Sequence, residues 1–418
     1  MRVFLLTDLK ARARTVVFSL TAKVFSFFQV NCPDIPHASL ACEVAPVDEN
    51  AALYEFASSC RKAKASIVHF QLRHLVHAVS SRDVFFSAAG QHGICHWDAV
   101  TRTQRLALPV EADVQISTCA AWPTGTGEQN YIVAAGGFAG ELIVRSVPLC
   151  DGAAELEGNT RTQSTGIGVG QQRIMTGSAA TGGLGSGGTS AVFARRISTD
   201  ENAITNAIVY APSLGAGGAP GVVASNNDCV VRAFDGTAMR ENGRFPFPWA
   251  VNYTAVSPCG RLAIVVGDST TCALLDLTSA QVVAHLAGHL DFSFAASWHP
   301  DGSCFATGSQ DATARIWDIR RLATARRVLQ GKLGAIRSLC FSHDGAALAA
   351  AEPADFVHVY DCGADFRRSQ VVDLFGEIAG IDFSPCSEAL FVSVADLTYG
   401  SLMEFKRTRP HRKRLSLL

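Results

Sequence analysis

Apolar residues in this chain come in short alternating runs separated by turn-forming clusters, a pattern that predicts strands joined by tight turns. A strand ending in an aromatic or apolar residue and an acid recurs as ICHWD (94–98), VRAFD (231–235), CALLD (272–276), RIWD (315–318), VHVYD (357–361) and LMEF (402–405). The steps from Asp235 to Asp276, Asp318, Asp361 and Glu404 are 41, 42, 43 and 43 residues. Ahead of these strands stand turn segments such as SPCGRLAIVVGDS, HPDGSCFATGSQD and SHDGAALAAAEPAD, where Pro-Asp-Gly and its variants supply the positive φ of a hairpin turn. Short strands at a period of about 40–45 residues are the signature of four-stranded propeller blades. The predicted fold is all-β.

The repeat resembles the WD40 family over roughly residues 66–405. The unit at 285–320 matches best, with Gly288-His289 at its start, TGSQD in the middle and Ile316-Trp317-Asp318 at its end. The resemblance implies a hydrogen-bonded tetrad of His289, Ser309, Asp311 and Trp317. Other units keep fragments: Trp recurs at Trp97, and Asp228, Asp268, Asp355 and Asp396 fall near the Asp311 position. The expected architecture is a seven-bladed WD40-type propeller with blades at about 66–108, 112–148, 201–243, 248–287, 290–330, 334–374 and 376–406. The last blade lacks an outer strand of its own, and residues 50–62 are placed to supply it, which would cover an exposed sheet edge. The propeller is thus expected over 50–405, between a basic, disordered extension (1–49) and a basic tail (406–418). Residues 150–198, rich in Gly, Ser and Thr, are expected to form a disordered insertion between the second and third blades.

Composition narrows the function classes. The 418 residues are 48% hydrophobic and 17% charged, enough to bury a large core, with a formal net charge of −1. That balance argues against a nucleic-acid binder, apart from the tail KRTRPHRKRLSLL, which reads as a nuclear import signal or a solvated end. Thirteen cysteines without paired C-x-x-C spacing point to neither zinc nor a disulfide framework, and hence to cytosol or nucleus. Residues 1–30 are positive, acid-poor and amphipathic, as in organellar transit peptides, but too short in apolar run to span a bilayer.

No G-x-S-x-G, H-E-x-x-H or P-loop is present, so no catalytic residue, cofactor or metal is expected. Gly183, Gly185 and Gly188 have G-x-G-x-x-G spacing without a strand before them. His69, His74 and His77 share one strand-like stretch, where alternation sends neighbours to opposite faces. Asn252-Tyr253-Thr254 fits a glycosylation acceptor but falls in an inner strand. Trp317-Asp318-Ile319-Arg320 matches the W-D-x-R ending of WD-repeat proteins that dock on cullin-type ubiquitin-ligase adaptors, with Asp318 and Arg320 as contact residues. The stretch 355–405 resembles a domain of unknown function in fungal and plant WD-repeat proteins. Within it, Phe375 and Glu377 in the loop entering the last blade, and Tyr399 in the next loop, are candidate partner contacts. The resemblance implies a non-catalytic scaffold that binds proteins on the propeller ends. The alternatives are a ubiquitin-ligase substrate receptor, or an enzyme or small-molecule sensor using the central channel.

Overall fold

The computed structural model describes residues 44, 46–124, 130–148, 192–200, 202–215 and 218–408. They form 27 strands and no helix, so none of the described residues lies in a helix able to cross a membrane. The first strand, β1 (Tyr54–Cys60), precedes five four-stranded antiparallel sheets that follow chain order. The first sheet is β2 (Val76–Ala78), β3 (Asp83–Ser87), β4 (Gly93–Asp98) and β5 (Thr103–Pro109). The second is β6 (Ile116–Pro123), β7 (Asn130–Gly137), β8 (Glu141–Pro148) and β9 (Val192–Arg196). The third is β10 (Thr205–Leu214), β11 (Ala219–Asn226), β12 (Val230–Asp235) and β13 (Glu241–Pro246). Then come β14 (Val251–Val256), β15 (Leu262–Gly267), β16 (Cys272–Asp276) and β17 (Gln281–Leu286), followed by β18 (Ser293–Trp298), β19 (Cys304–Ser309), β20 (Thr313–Asp318) and β21 (Arg327–Gln330).

The remaining strands form one seven-stranded sheet. They are β22 (Ser338–Phe341), β23 (Ala347–Ala351), β24 (Ala354–Asp361), β25 (Ser369–Phe383), β26 (Ala389–Ala395) and β27 (Ser401–Arg407), with β1 on the outside. The 15-residue β25 serves two neighbours: Ser369–Asp373 pair with β24, and Glu377–Phe383 with β26. Phe375, Gly376 and Glu377, expected in a loop, therefore lie inside a strand. Gly376 is the joint, at φ 117°, and a Cβ there would stand 2.9 Å from Val394 Cγ1. Gly376→Ala is expected to cost about 1–3 kcal/mol, read from the urea midpoint; an unchanged midpoint would show that the joint relaxes freely.

The innermost strand of each sheet packs on the next: β2 on β6, then β10, β14, β18, β22 and the second half of β25, which returns to β2. This closed ring of antiparallel sheets is a β-propeller. Its core lies between sheets rather than within them. Ile264 and Leu274 of one sheet share a cluster with Phe305 and Trp317 of the next, while Ala306 and Ile316 join Leu348 and Ala350 beyond. Burial is greatest in the middle strands of each sheet and least in the outer ones. All of β4 and β19 is buried because these strands are covered on both faces. Most of β17 is exposed, which is why its sequence, QVVAHL, mixes polar and apolar residues.

Two boundaries differ from expectation. Val192–Arg196, within the stretch 150–198 assigned to a disordered insertion, is strand β9 and pairs with β8. The long spacer therefore separates the third and fourth strands of one sheet, not two blades; Gly183, Gly185 and Gly188 within it lie outside the described residues. Lys406 and Arg407, assigned to a basic tail, belong to β27. There Arg407 pairs with Asp344, and the edge of β27 pairs antiparallel with β1. Tyr54 anchors that edge, its buried hydroxyl donating to Ser387 O at 2.8 Å. Residues 1–30 and 409–418, read as a targeting segment and an import signal, lie outside the described residues.

Candidate partner-binding site

Antiparallel order within each sheet sorts the loops onto two ends. Connections into each innermost strand, and those between second and third strands, share one end, here called the upper end. Connections between first and second and between third and fourth strands share the lower end. On this geometry His289, Asp311, Phe375, Glu377 and Tyr399 belong to the upper end, and Asp318 and Arg320 to the lower. The two groups of candidate contacts are therefore on opposite ends.

In the β18–β21 sheet the buried network runs through Thr307. Trp317 Nε1–H donates to Thr307 Oγ1 at 2.9 Å, and Thr307 Oγ1 lies 2.8 Å from His289 Nε2. His289 Nδ1 lies 3.0 Å from Asp311 Oδ2. Burial lowers the His289 pKa, which favours a neutral ring. With Nδ1–H donating to the carboxylate, Nε2 accepts the threonine hydroxyl and the Thr307, His289 and Trp317 side-chain polar atoms all have partners. Burial alone would raise the Asp311 pKa, but the His289 contact and hydrogen bonds from Thr313 and the Leu290 amide hold it well below the usual range.

Ser309, expected in this tetrad, is not in it. Its hydroxyl contacts the Asp291 and Phe292 carbonyls and receives the Asp311 amide, pinning the loop that leads into β18. Residues 307 and 309 of a strand face the same side, so alternation could not choose between them. Other sheets solve the same problem with other residues. Glu352 accepts the Lys332, Leu333 and Gly334 amides and contacts His358 at 2.8 Å. Asp228 pairs with buried Arg232 and receives the Ser198 hydroxyl. Asp355 instead accepts the Gly376 amide, and Asp268 the Asn252 amide group. That contact buries Asn252, the sugar-acceptor candidate, inside the fold.

The acid that ends the third strand caps the following turn. Asp98 accepts the Val100 and Thr101 amides, Asp235 those of Thr237 and Ala238, and Asp276 those of Thr278 and Ser279. Asp318 does the same for the Arg320 amide and also holds the Arg320 guanidinium in a two-pronged contact at 3.0 and 2.8 Å. The Arg320 side chain is nonetheless 79% exposed.

Large exposed apolar side chains concentrate at the upper end. Val68 and Phe70 lie in the approach to β2, Leu290 and Phe292 in the approach to β18, and Leu333 before β22. Phe375, Leu397 and Tyr399 cluster where β25, β26 and β27 meet. Among the described residues only Val100 is comparable at the lower end; the others sit on outer strands or before β1. Phe375 and Tyr399 meet edge to face at 5.0 Å. Glu377 faces outward but reaches back to the buried Arg73 at 3.2 Å.

The innermost strands also gather titratable groups that sequence reading did not connect. His77 Nδ1 lies 2.5 Å from Asp382 Oδ2, and the Cys340 thiol donates to Asp382 Oδ1 at 3.3 Å. Burial opposes the His77 cation, but the Asp382 charge and hydrogen bond raise its pKa overall. Burial pushes the Cys119 thiol up to about 12 and Cys340 up as well, so both stay protonated at neutral pH. His74 packs at a tilt against Tyr253, ring centroids 4.3 Å apart, and burial lowers it to about 4; burial does the same to His69, helped by Arg73 and Arg337. Among the described residues no set of three His, Cys, Asp or Glu side chains is arranged to hold a metal ion.

Residues 280–318 match the family described as WD domain, G-beta repeat. Pre-mRNA-processing factor 19 homolog 2 of Arabidopsis thaliana is 25% identical over 150 residues, 35% of this chain and 28% of that protein. A guanine nucleotide-binding protein subunit beta of Oryza sativa subsp. japonica is 37% identical over 94 residues, 20% of this chain and 24% of the other. Apoptotic protease-activating factor 1 of Rattus norvegicus is 33% identical over 72 residues, 17% of this chain and 6% of its own length. The chain spans less than a third of each of these relatives. The family match falls on the sheet that carries the His289–Thr307–Trp317 relay, so residues 280–318 are a WD40 repeat, set in an all-β chain of the β-propeller type.

Proposed function

We propose that the chain is a non-catalytic, seven-bladed WD-repeat scaffold that binds protein partners on its propeller ends. The carrying observation is the concentration of exposed apolar side chains at the upper end, since scattered surface apolars need no explanation but a one-sided cluster marks an interaction face. The blade count takes β25 as shared, its first half closing one blade and its second half opening the next. The axial groups fit a structural role: the Asp382 carboxylate stands between the Cys340 thiol and the His77 ring, so the imidazole does not contact the thiol. The ten free cysteines among the described residues fit a reducing compartment, cytosol or nucleus.

A second reading is favoured by one observation. Arg320, at the end of W-D-x-R, is exposed on the lower end with its guanidinium oriented by Asp318, a geometry suited to an acidic adaptor surface. Affinity purification of the intact chain and of Arg320→Ala, with partners identified by mass spectrometry, tests both readings. A scaffold recovers the same proteins with either form. A ligase receptor recovers a cullin adaptor with the intact chain and loses it with the variant. Recovery of no specific protein by either form would sink the scaffold reading itself.

A further inference from the structure

Where β25, β26 and β27 meet, the upper end carries Phe375, Tyr399 and Leu397, the last 96% exposed. Cations from the far end of the sequence border this patch. The Arg61 guanidinium lies 5.8 Å from the centroid of the Tyr399 ring, and Lys64 Nζ donates to the Leu397 carbonyl at 2.9 Å. Lys62 is exposed between them. Neither Arg61 nor Lys62 contacts a carboxylate among the described residues. The acids nearby are already engaged: Glu377 by Arg73, Asp355 by the Gly376 amide, and Asp396 by the Thr398 and Tyr399 amides.

We propose that this patch docks an acidic peptide segment carrying a large apolar side chain. The apolar residue covers Leu397 and the exposed faces of Phe375 and Tyr399, and flanking carboxylates pair with Arg61 and Lys62. Charge complementarity selects this occupant: the unengaged charges at the rim are cationic, so a basic or neutral segment gains nothing from them. A peptide suits the surface better than an anionic bilayer, because Arg61 and Lys62 are two unengaged cations, fewer than the clusters of about four or more that bind membrane surfaces. The inference rests on the scaffold reading and adds which face is used and what chemistry it takes. Leu397 and Arg61 project into solvent, so changing them leaves the core intact.

The test is selection of a phage-displayed peptide library on the intact chain, followed by binding of the enriched peptides to Leu397→Ser/Arg61→Glu and to Arg320→Ala. Matching thermal midpoints would verify that all forms fold. The expected result is enrichment of peptides combining Asp or Glu with Leu, Phe or Trp. Their binding falls on the order of tenfold or more in the double variant, the scale of a lost anchor contact, and is unchanged in Arg320→Ala. Enriched peptides that bind the double variant equally well overturn the proposal while leaving the scaffold reading intact. So does an absence of enrichment while partners are still recovered from cells. Sedimentation with phosphatidylserine vesicles that the double variant loses overturns it in favour of a lipid surface.

Discussion

Trp317→Ala is expected to destabilise the chain by about 3–5 kcal/mol, the range for truncating a fully buried aromatic side chain. Trp317 has no exposed surface and packs against the adjoining sheet, so the loss opens a cavity between two blades rather than inside one. Thr307→Val probes the polar half of the same site. Valine keeps the shape but gives Trp317 Nε1–H no acceptor and His289 Nε2 no donor, leaving two buried polar atoms unpaired at an expected cost of about 2–4 kcal/mol. Ser309→Ala removes only loop contacts and is expected to cost about 1 kcal/mol. Urea titrations of the three variants check the ranking. A Ser309→Ala cost equal to or above that of Thr307→Val would mean that the relay does not run through Thr307.

Stability is also expected to rise as pH increases from about 4 to 6.5, and to fall again above that. His69 and His74 are lowered from 6.5 to about 4 by burial. Between those values the unfolded chain binds more protons than the folded one, so acidification favours unfolding. The buried His74 contributes on the order of 3 kcal/mol to this acid limb, and the more exposed His69 less, because solvent screens its charge. His77 has the opposite sign. Its folded pKa is raised, so its contribution is complete below 6.5 and is lost as pH climbs through the folded value. Thermal midpoints across this range should flatten on the acid side in His74→Phe and on the alkaline side in His77→Gln. An acid limb unchanged in His74→Phe would show that the ring is hydrated in the folded protein.

Legibility in the sequence followed the distance between interacting residues. The sheets from β14 to β21 are built from consecutive strands joined by short turns, so period and turn chemistry alone locate them. Strand β9 escaped notice because its partner β8 lies across a Gly/Ser-rich spacer, and VFARR carries little strand signal by itself. The Thr307–Ser309 ambiguity has a different origin. Both hydroxyls face the same side, and only the position of His289 against the strand shows which one it meets. Glu352 and Arg232 satisfy corresponding sites with residues that no repeat pattern requires, because the need is for paired buried charge rather than for a particular side chain.

Phe375, Glu377 and Tyr399 stood out in the sequence as aromatic and charged residues near predicted turns. Arg61, Lys64 and Leu397 did not, since nothing in their local pattern separates them from ordinary surface residues. Ring closure brings residues 61–64 beside residues 397–399. By itself, the sequence determined the all-β class, the repeat and the capping acids, because these depend on hydrophobic alternation and hydrogen bonds between near neighbours. Tertiary structure alone decided which hydroxyl joins the buried relay, which end each candidate residue occupies and which charges meet. The relay depends on how the loop carrying His289 docks against the strand that carries Thr307, and the meeting of charges on segments hundreds of residues apart that only ring closure brings together.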